Sequence, residues 1–126
     1  MELNIAGKDT EIIFGMAFIR ELDSIYKVEG NGIVFGTGLE SILPGLFTDN
    51  PTVLGDVIYH GTAHVKKGRP SKHQIDNLLE SISDLDELEK LFEDVIHVMS
   101  ESVLIKKKVV AFKTEAEAAE KALGGM

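Results

Sequence analysis

Two consecutive stretches carry their own helix-start chemistry, and they constrain the fold more than any other feature of the chain. Ser71-Lys72-His73-Gln74 has the form of a capping box, in which serine and glutamine side chains three residues apart satisfy each other's backbone amides. Behind it Ile75, Leu78, Leu79 and Ile82 fall at the i, i+3, i+4, i+7 spacing of one helix face. Asp84-Leu85-Asp86-Glu87 repeats the start, and Leu85, Leu88, Leu91, Phe92, Val95 and Met99 continue a second face. Helices over residues 71–83 and 84–100 must each bury an apolar face against other elements. At 126 residues the chain fits one domain, 1–126, so the remaining segments have to supply that cover.

The N-terminal segment predicts a β-hairpin. Leu3 and Ile5 alternate with Glu2 and Asn4, Ala6-Gly7-Lys8-Asp9 supplies the turn, and Thr10 to Phe14 resumes a β-rich run. From Gly15 the period lengthens: Met16, Ile19, Leu22 and Tyr26 mark a helix that should end before Gly30-Asn31-Gly32. A short helix interrupted by Pro44 is expected over 39–47. The next helix should run over 51–65, with Asp49 or Asn50 as cap, Pro51 in the first turn, and Leu54, Ile58, Gly61 and Val65 on one stripe. The Ala/Glu tail over 113–126 favours helix but has few large apolar residues to dock, so it is expected to fray. The expected class is therefore α+β, mostly α: an N-terminal β-hairpin followed by five or six packed helices.

Charge and composition narrow the function. With 13 Lys+Arg against 21 Asp+Glu the net charge is −8, which repels phosphate and anionic lipid and disfavours nucleic-acid or membrane-surface partners. The absence of cysteine excludes disulfides, thiol catalysis and thiolate metal sites. The start Met1-Glu2 lacks a basic leader, and the longest apolar run, 12–19, is far short of the roughly 18 residues a membrane span needs.

The motifs that could carry chemistry are incomplete. Gly30-Asn31-Gly32-Ile33-Val34-Phe35-Gly36 imitates a dinucleotide loop, but the third glycine position is Phe35, and a flexible turn is the simpler reading. Asp56, His60 and His64 share one face of the predicted 51–65 helix, and two imidazoles one turn apart can clamp a metal. His60-Gly61-Thr62-Ala63-His64 lacks the glutamate base of metalloprotease helices, and one straight helix cannot wrap three ligands round an ion. Half-buried, hydrogen-bonded histidines are expected, with no metal or other cofactor; a small metal-dependent enzyme using Asp56, His60 and His64 is the alternative. The acids from Asp84 to Asp94 read as a solvated helix face, with an acidic nucleic-acid mimic through Glu80 to Asp94 as a further alternative. For Lys106-Lys107-Lys108 a salt-bridging or hinge role fits better than nucleic-acid contact.

Val103, Leu104, Ile105, Val109, Val110 and Phe112 form a dense apolar set around those lysines. The set could complete the core or dock a partner, and sequence alone leaves both open. Partner binding there predicts that truncation after Ser102 leaves a folded domain. A hairpin also leaves an unpaired edge, so self-association is expected.

The order of segments "LNIAGKDTEIIFGMAFIRELD", "GIVFGTGLESILPGL", "NPTVLGDVIYHGTAH", "RPSKHQIDNLLE" and "SVLIKKKV" resembles the tail assembly chaperones of long-tailed bacteriophages, or prophages, of Gram-positive bacteria. The resemblance covers nearly the whole chain and rests on scaffold patterns rather than a catalytic signature. It implies a non-enzymatic protein of the host-cell cytoplasm, absent from the mature virion. It also implies binding to the tape measure protein, which is kept soluble until tail tube subunits polymerise around it. No catalytic residues carry over.

Overall fold

The computed structural model describes residues 1–124. Its elements in chain order are β1 (Glu2–Ile5), β2 (Lys8–Glu11), α1 (Met16–Ile25), β3 (Lys27–Gly30), β4 (Ile33–Gly36), α2 (Gly38–Phe47), α3 (Pro51–His60), α4 (Lys72–Glu80), α5 (Leu85–Glu101) and α6 (Lys106–Gly124). The architecture is α+β and mostly α, with an N-terminal antiparallel hairpin and six helices among the described residues.

The expected helix starts are formed by the expected side chains. Asn50 accepts from the amides of Thr52 and Val53 with Pro51 in the first turn. Ser71 and Gln74 close the reciprocal capping box, and Asp84 accepts from the amide of Asp86. Pro44 sits inside α2, as expected of that segment.

β1 and β2 pair with Leu3 opposite Thr10 and Ile5 opposite Lys8. This register puts Leu3, Ile5 and Thr10 on one face, and Ile5 and Thr10 are buried there. Ile5, Ile12 and Phe14 join Phe18 and Leu22 of α1, Leu54, Val57 and Ile58 of α3, Ile75 of α4, and Phe92, Val95 and Met99 of α5 in one core. The amide of Ile13 bonds the carbonyl of Gly61 at 2.9 Å, tying the exit of the hairpin to the end of α3. A side chain at Gly61 would collide with Ile12, so only glycine permits that approach.

Two expectations are corrected. The first helix stops at Ile25, and the chain then forms a second antiparallel hairpin, β3–β4, around Asn31-Gly32. Asn31 and Gly32 have φ of 53° and 76°, the left-handed geometry a two-residue hairpin loop requires, so this is a defined turn. The helix expected over 51–65 stops at His60. Beyond it the amides of Thr62, Ala63 and Val65 bond carbonyls three residues back, in successive tight turns.

Candidate partner-binding surfaces

At the end of α3, Glu21 of α1 is the centre of a polar cluster. Its Oε2 accepts from His60 Nδ1 at 2.7 Å and from Arg69 Nη2 at 2.7 Å, and its Oε1 accepts from Arg69 Nη1 at 2.9 Å. Partial burial pushes the Glu21 carboxyl up, but hydrogen bonds and positive charge from Arg69 and His60 outweigh that, and the carboxyl lies below its ordinary value of 4.5. Glu21 in turn raises the pKa of Arg69. The same guanidinium donates to the Tyr59 carbonyl (3.1 Å) and to Thr62 Oγ1 (3.0 Å), and lies over the Tyr59 ring. Arg69 therefore satisfies the C-terminal end of α3 while binding α1 to it.

This cluster shows what becomes of Asp56, His60 and His64. His60 is buried and spent on Glu21. Asp56 faces a separate cleft of about 270 Å³ lined by Thr52, Tyr59, Lys72 and Asp76. His64 lies past the helix, so the one-face argument fails for it; its Nδ1 is buried without a hydrogen-bond partner among the described residues. Among the described residues no three His, Cys, Asp or Glu side chains are placed to hold a metal ion. The acids of α5 are mostly exposed, and Lys90 interrupts them by pairing with Asp94 at 2.9 Å.

The apolar set over 103–112 is divided. Ile105 and Val109 are buried in the core, at 0% and 2% exposure. Phe112 is half-buried against Phe47, with ring centroids 5.2 Å apart. Val103, Leu104 and Val110 are 89%, 58% and 48% exposed. Residues 105, 109 and 112 recur at i, i+4 and i+7, the face α6 turns toward α2 and α5. Ser102 Oγ donates to the Phe14 carbonyl at 2.8 Å, and Lys108 of the triple lysine pairs with Glu40 of α2. Partial burial pushes Glu40 up, but the bond and charge of Lys108 win and hold it below its ordinary value. A cut after Ser102 would remove Ile105 and Val109 from the core and break the Lys108–Glu40 pair, which weighs against the expectation that the shortened chain keeps an intact core.

Outside that stitching, α5 and α6 border a groove of about 470 Å³. Ile96, Val109 and Val110 give it an apolar lining; Glu93 and Glu101 of α5 and Lys106 and Lys113 of α6 add both signs of charge. The second hairpin is another apolar surface, and the sequence reading missed it: Val28, Ile33, Val34 and Phe35 are all more than half exposed. No helix among the described residues is long and apolar enough to cross a membrane.

Comparison with curated proteins and with solved structures gives no match. Residues 2–113 match the family model described as phage tail assembly chaperone protein, TAC, and the chain belongs to that family.

Proposed function

We propose that the chain is a non-enzymatic chaperone that binds the tape measure protein and keeps it soluble until tail tube subunits polymerise around it. It acts in the cytoplasm of the bacterial host as a homo-oligomer and is left out of the mature virion. The observation that carries the reading beyond the family is the α5–α6 groove with Leu104 and Val110 exposed in the same segment. A groove with an apolar lining and charges of both signs accepts an amphipathic helix by its apolar stripe, with charges on the helix flanks meeting the rim. Burying one large apolar side chain contributes roughly 1.5–3 kcal/mol. Two or three such anchors give micromolar binding once association costs are met, weak enough to yield to growing tube contacts. Many such sites along one long partner hold it by avidity.

Co-expression with the tape measure protein tests this. The wild-type chain should keep that protein in the soluble fraction, and Leu104→Asp with Val110→Asp should send it to the pellet. Both positions are exposed, so the variant chaperone itself should stay folded. Equal solubility with the variant would refute the groove as the binding site.

A further inference from the structure

The second hairpin makes no use of its apolar side. In the register Val28 opposite Phe35 and Gly30 opposite Ile33, the side chains of Val28, Ile33 and Phe35 share one face. They are 55%, 56% and 52% exposed. The opposite face carries Lys27, Glu29, Val34 and Gly36, and Gly36 seats β4 against Asp23 of α1.

The backbone is also unpaired along one side. The amide of Thr37 bonds the carbonyl of Tyr26 at 2.8 Å, which sets the phase of the ladder. Tyr26, Val28 and Gly30 turn their backbone groups toward β4, and Lys27 and Glu29 turn theirs outward. Among the described residues β3 has no neighbouring strand on that side, and neither Lys27 nor Glu29 makes an ion pair.

We propose that β3 is an interface strand: two copies of the chain join antiparallel through the outer edges of β3, about a twofold axis at Val28, in a four-stranded sheet. The ladder phase requires Lys27 and Glu29 to meet residues of the other copy that also point outward. Three symmetric registers satisfy it. Two set Lys27 against Lys27 or Glu29 against Glu29, and like charges directly opposite are destabilising. The third sets Lys27 of each copy against Glu29 of the other, giving two opposite-charge pairs on one face. On the other face Val28, Ile33 and Phe35 of both copies become one continuous apolar surface. The edge is thus its own electrostatic complement, and this identifies a second copy as its occupant. A two-stranded hairpin is marginal alone, and doubling the sheet relieves that weakness. This assignment rests on the self-association proposed above and names its surface.

Charge reversal followed by sedimentation equilibrium of the full chain tests it. Lys27→Glu and Glu29→Lys each put like charges into both symmetry-related pairs, so each should raise the dimer dissociation constant on the order of ten-fold at low salt. The double variant carrying both changes should recover wild-type association. An equimolar mixture of the two single variants should associate more tightly than either alone, because every Glu then faces a Lys. Both residues are exposed, and circular dichroism should show an unchanged fold. A monomer at every concentration would remove both the self-association and this interface. An oligomer indifferent to the single reversals, or a mixture no tighter than its components, would leave self-association standing and remove β3 from it.

Discussion

The two hairpins are built to one plan and put to opposite uses. Each has two four-residue strands joined by a two-residue loop whose residues both have positive φ, 53° and 81° at Ala6-Gly7 and 53° and 76° at Asn31-Gly32. Each has one apolar face. In β1–β2 that face lies on the helices, with Ile5 and Thr10 buried and Glu2, Asn4, Asp9 and Glu11 outside. In β3–β4 the apolar face is the one in water. Local turn chemistry therefore sets the hairpin, and what it packs against decides whether it supports the fold or presents a surface.

The widest separation between the two should come from truncating a buried isoleucine. Ile5 ends β1 just before its loop and is 2% exposed. Ile5→Ala should cost about 2–5 kcal/mol, the range for removing most of a buried aliphatic side chain. Urea unfolding followed by circular dichroism would read it as a lower midpoint at unchanged slope. A loss below about 1 kcal/mol would mean the first hairpin is no better docked than the second.

Helix α1 serves both hairpins through residues two apart, and this gives the next effect. Asp23 lies beneath Gly36 and accepts from the amide of Gly38 at 2.9 Å, holding the base of the second hairpin. Glu21 faces the other way, to His60 and Arg69, where the first hairpin leaves the core. Glu21→Gln should cost about 1–2 kcal/mol at pH 7, because it weakens charge-assisted bonds to partners that stay in place. The folded carboxyl has a pKa below the ordinary 4.5, so its contribution is present above that value and is lost as pH falls through the folded pKa. The stability gap between wild type and Glu21→Gln should accordingly close in acid; a gap constant from pH 7 to pH 3 would show the cluster is not acting through the carboxylate's charge.

The comparison also explains what could be read from the sequence. Caps need one side chain and a backbone amide two or three residues away, so Asn50, Ser71 and Asp84 were legible. Alternation at Leu3 and Ile5 gave the first hairpin. The second is hidden because Ile33, Val34 and Phe35 run consecutively in β4 with no polar alternation, and Gly30-Asn31-Gly32 also reads as a flexible turn. Asn-Gly between two β-rich runs was the available signal. His64 is misplaced by periodicity, which carries no stop at Gly61; the carbonyls at the end of α3 are taken up by tight turns and by Arg69, which reaches back to the Tyr59 carbonyl. Ile105, Val109 and Phe112 were separable from Val103, Leu104 and Val110 by helical spacing, although what they pack against was not.

The turn glycines separate the hairpins more finely. Gly7 and Gly32 have nearly the same φ, and a Cβ at either meets nothing within 4 Å, so alanine introduces the same backbone strain at both. Gly7→Ala should lower global stability by about 1 kcal/mol, because the strained loop closes strands that are part of the core. Gly32→Ala should leave the global midpoint within about 0.5 kcal/mol while its strands lose amide protection, since that hairpin can open without exposing buried residues. Hydrogen exchange read beside urea unfolding distinguishes local from global loss.

The smallest effect is expected at Ile33, the counterpart of Ile5 on the other hairpin: Ile5 precedes its loop and Ile33 follows its own. Ile33 is 56% exposed, so its truncation returns little apolar surface to water and leaves no cavity for neighbours to collapse around. Ile33→Ala should change stability by less than about 0.5 kcal/mol, as for surface substitutions generally. The measurement belongs at protein concentrations low enough to keep the chain monomeric, so that any apolar contact between copies does not enter it. Under those conditions the ratio of the two isoleucine effects measures how much of a hairpin's contribution comes from its face rather than its turn. A cost at Ile33 approaching that at Ile5 would show that the second hairpin is covered by its own chain in solution, and its apolar face would then not be a surface at all.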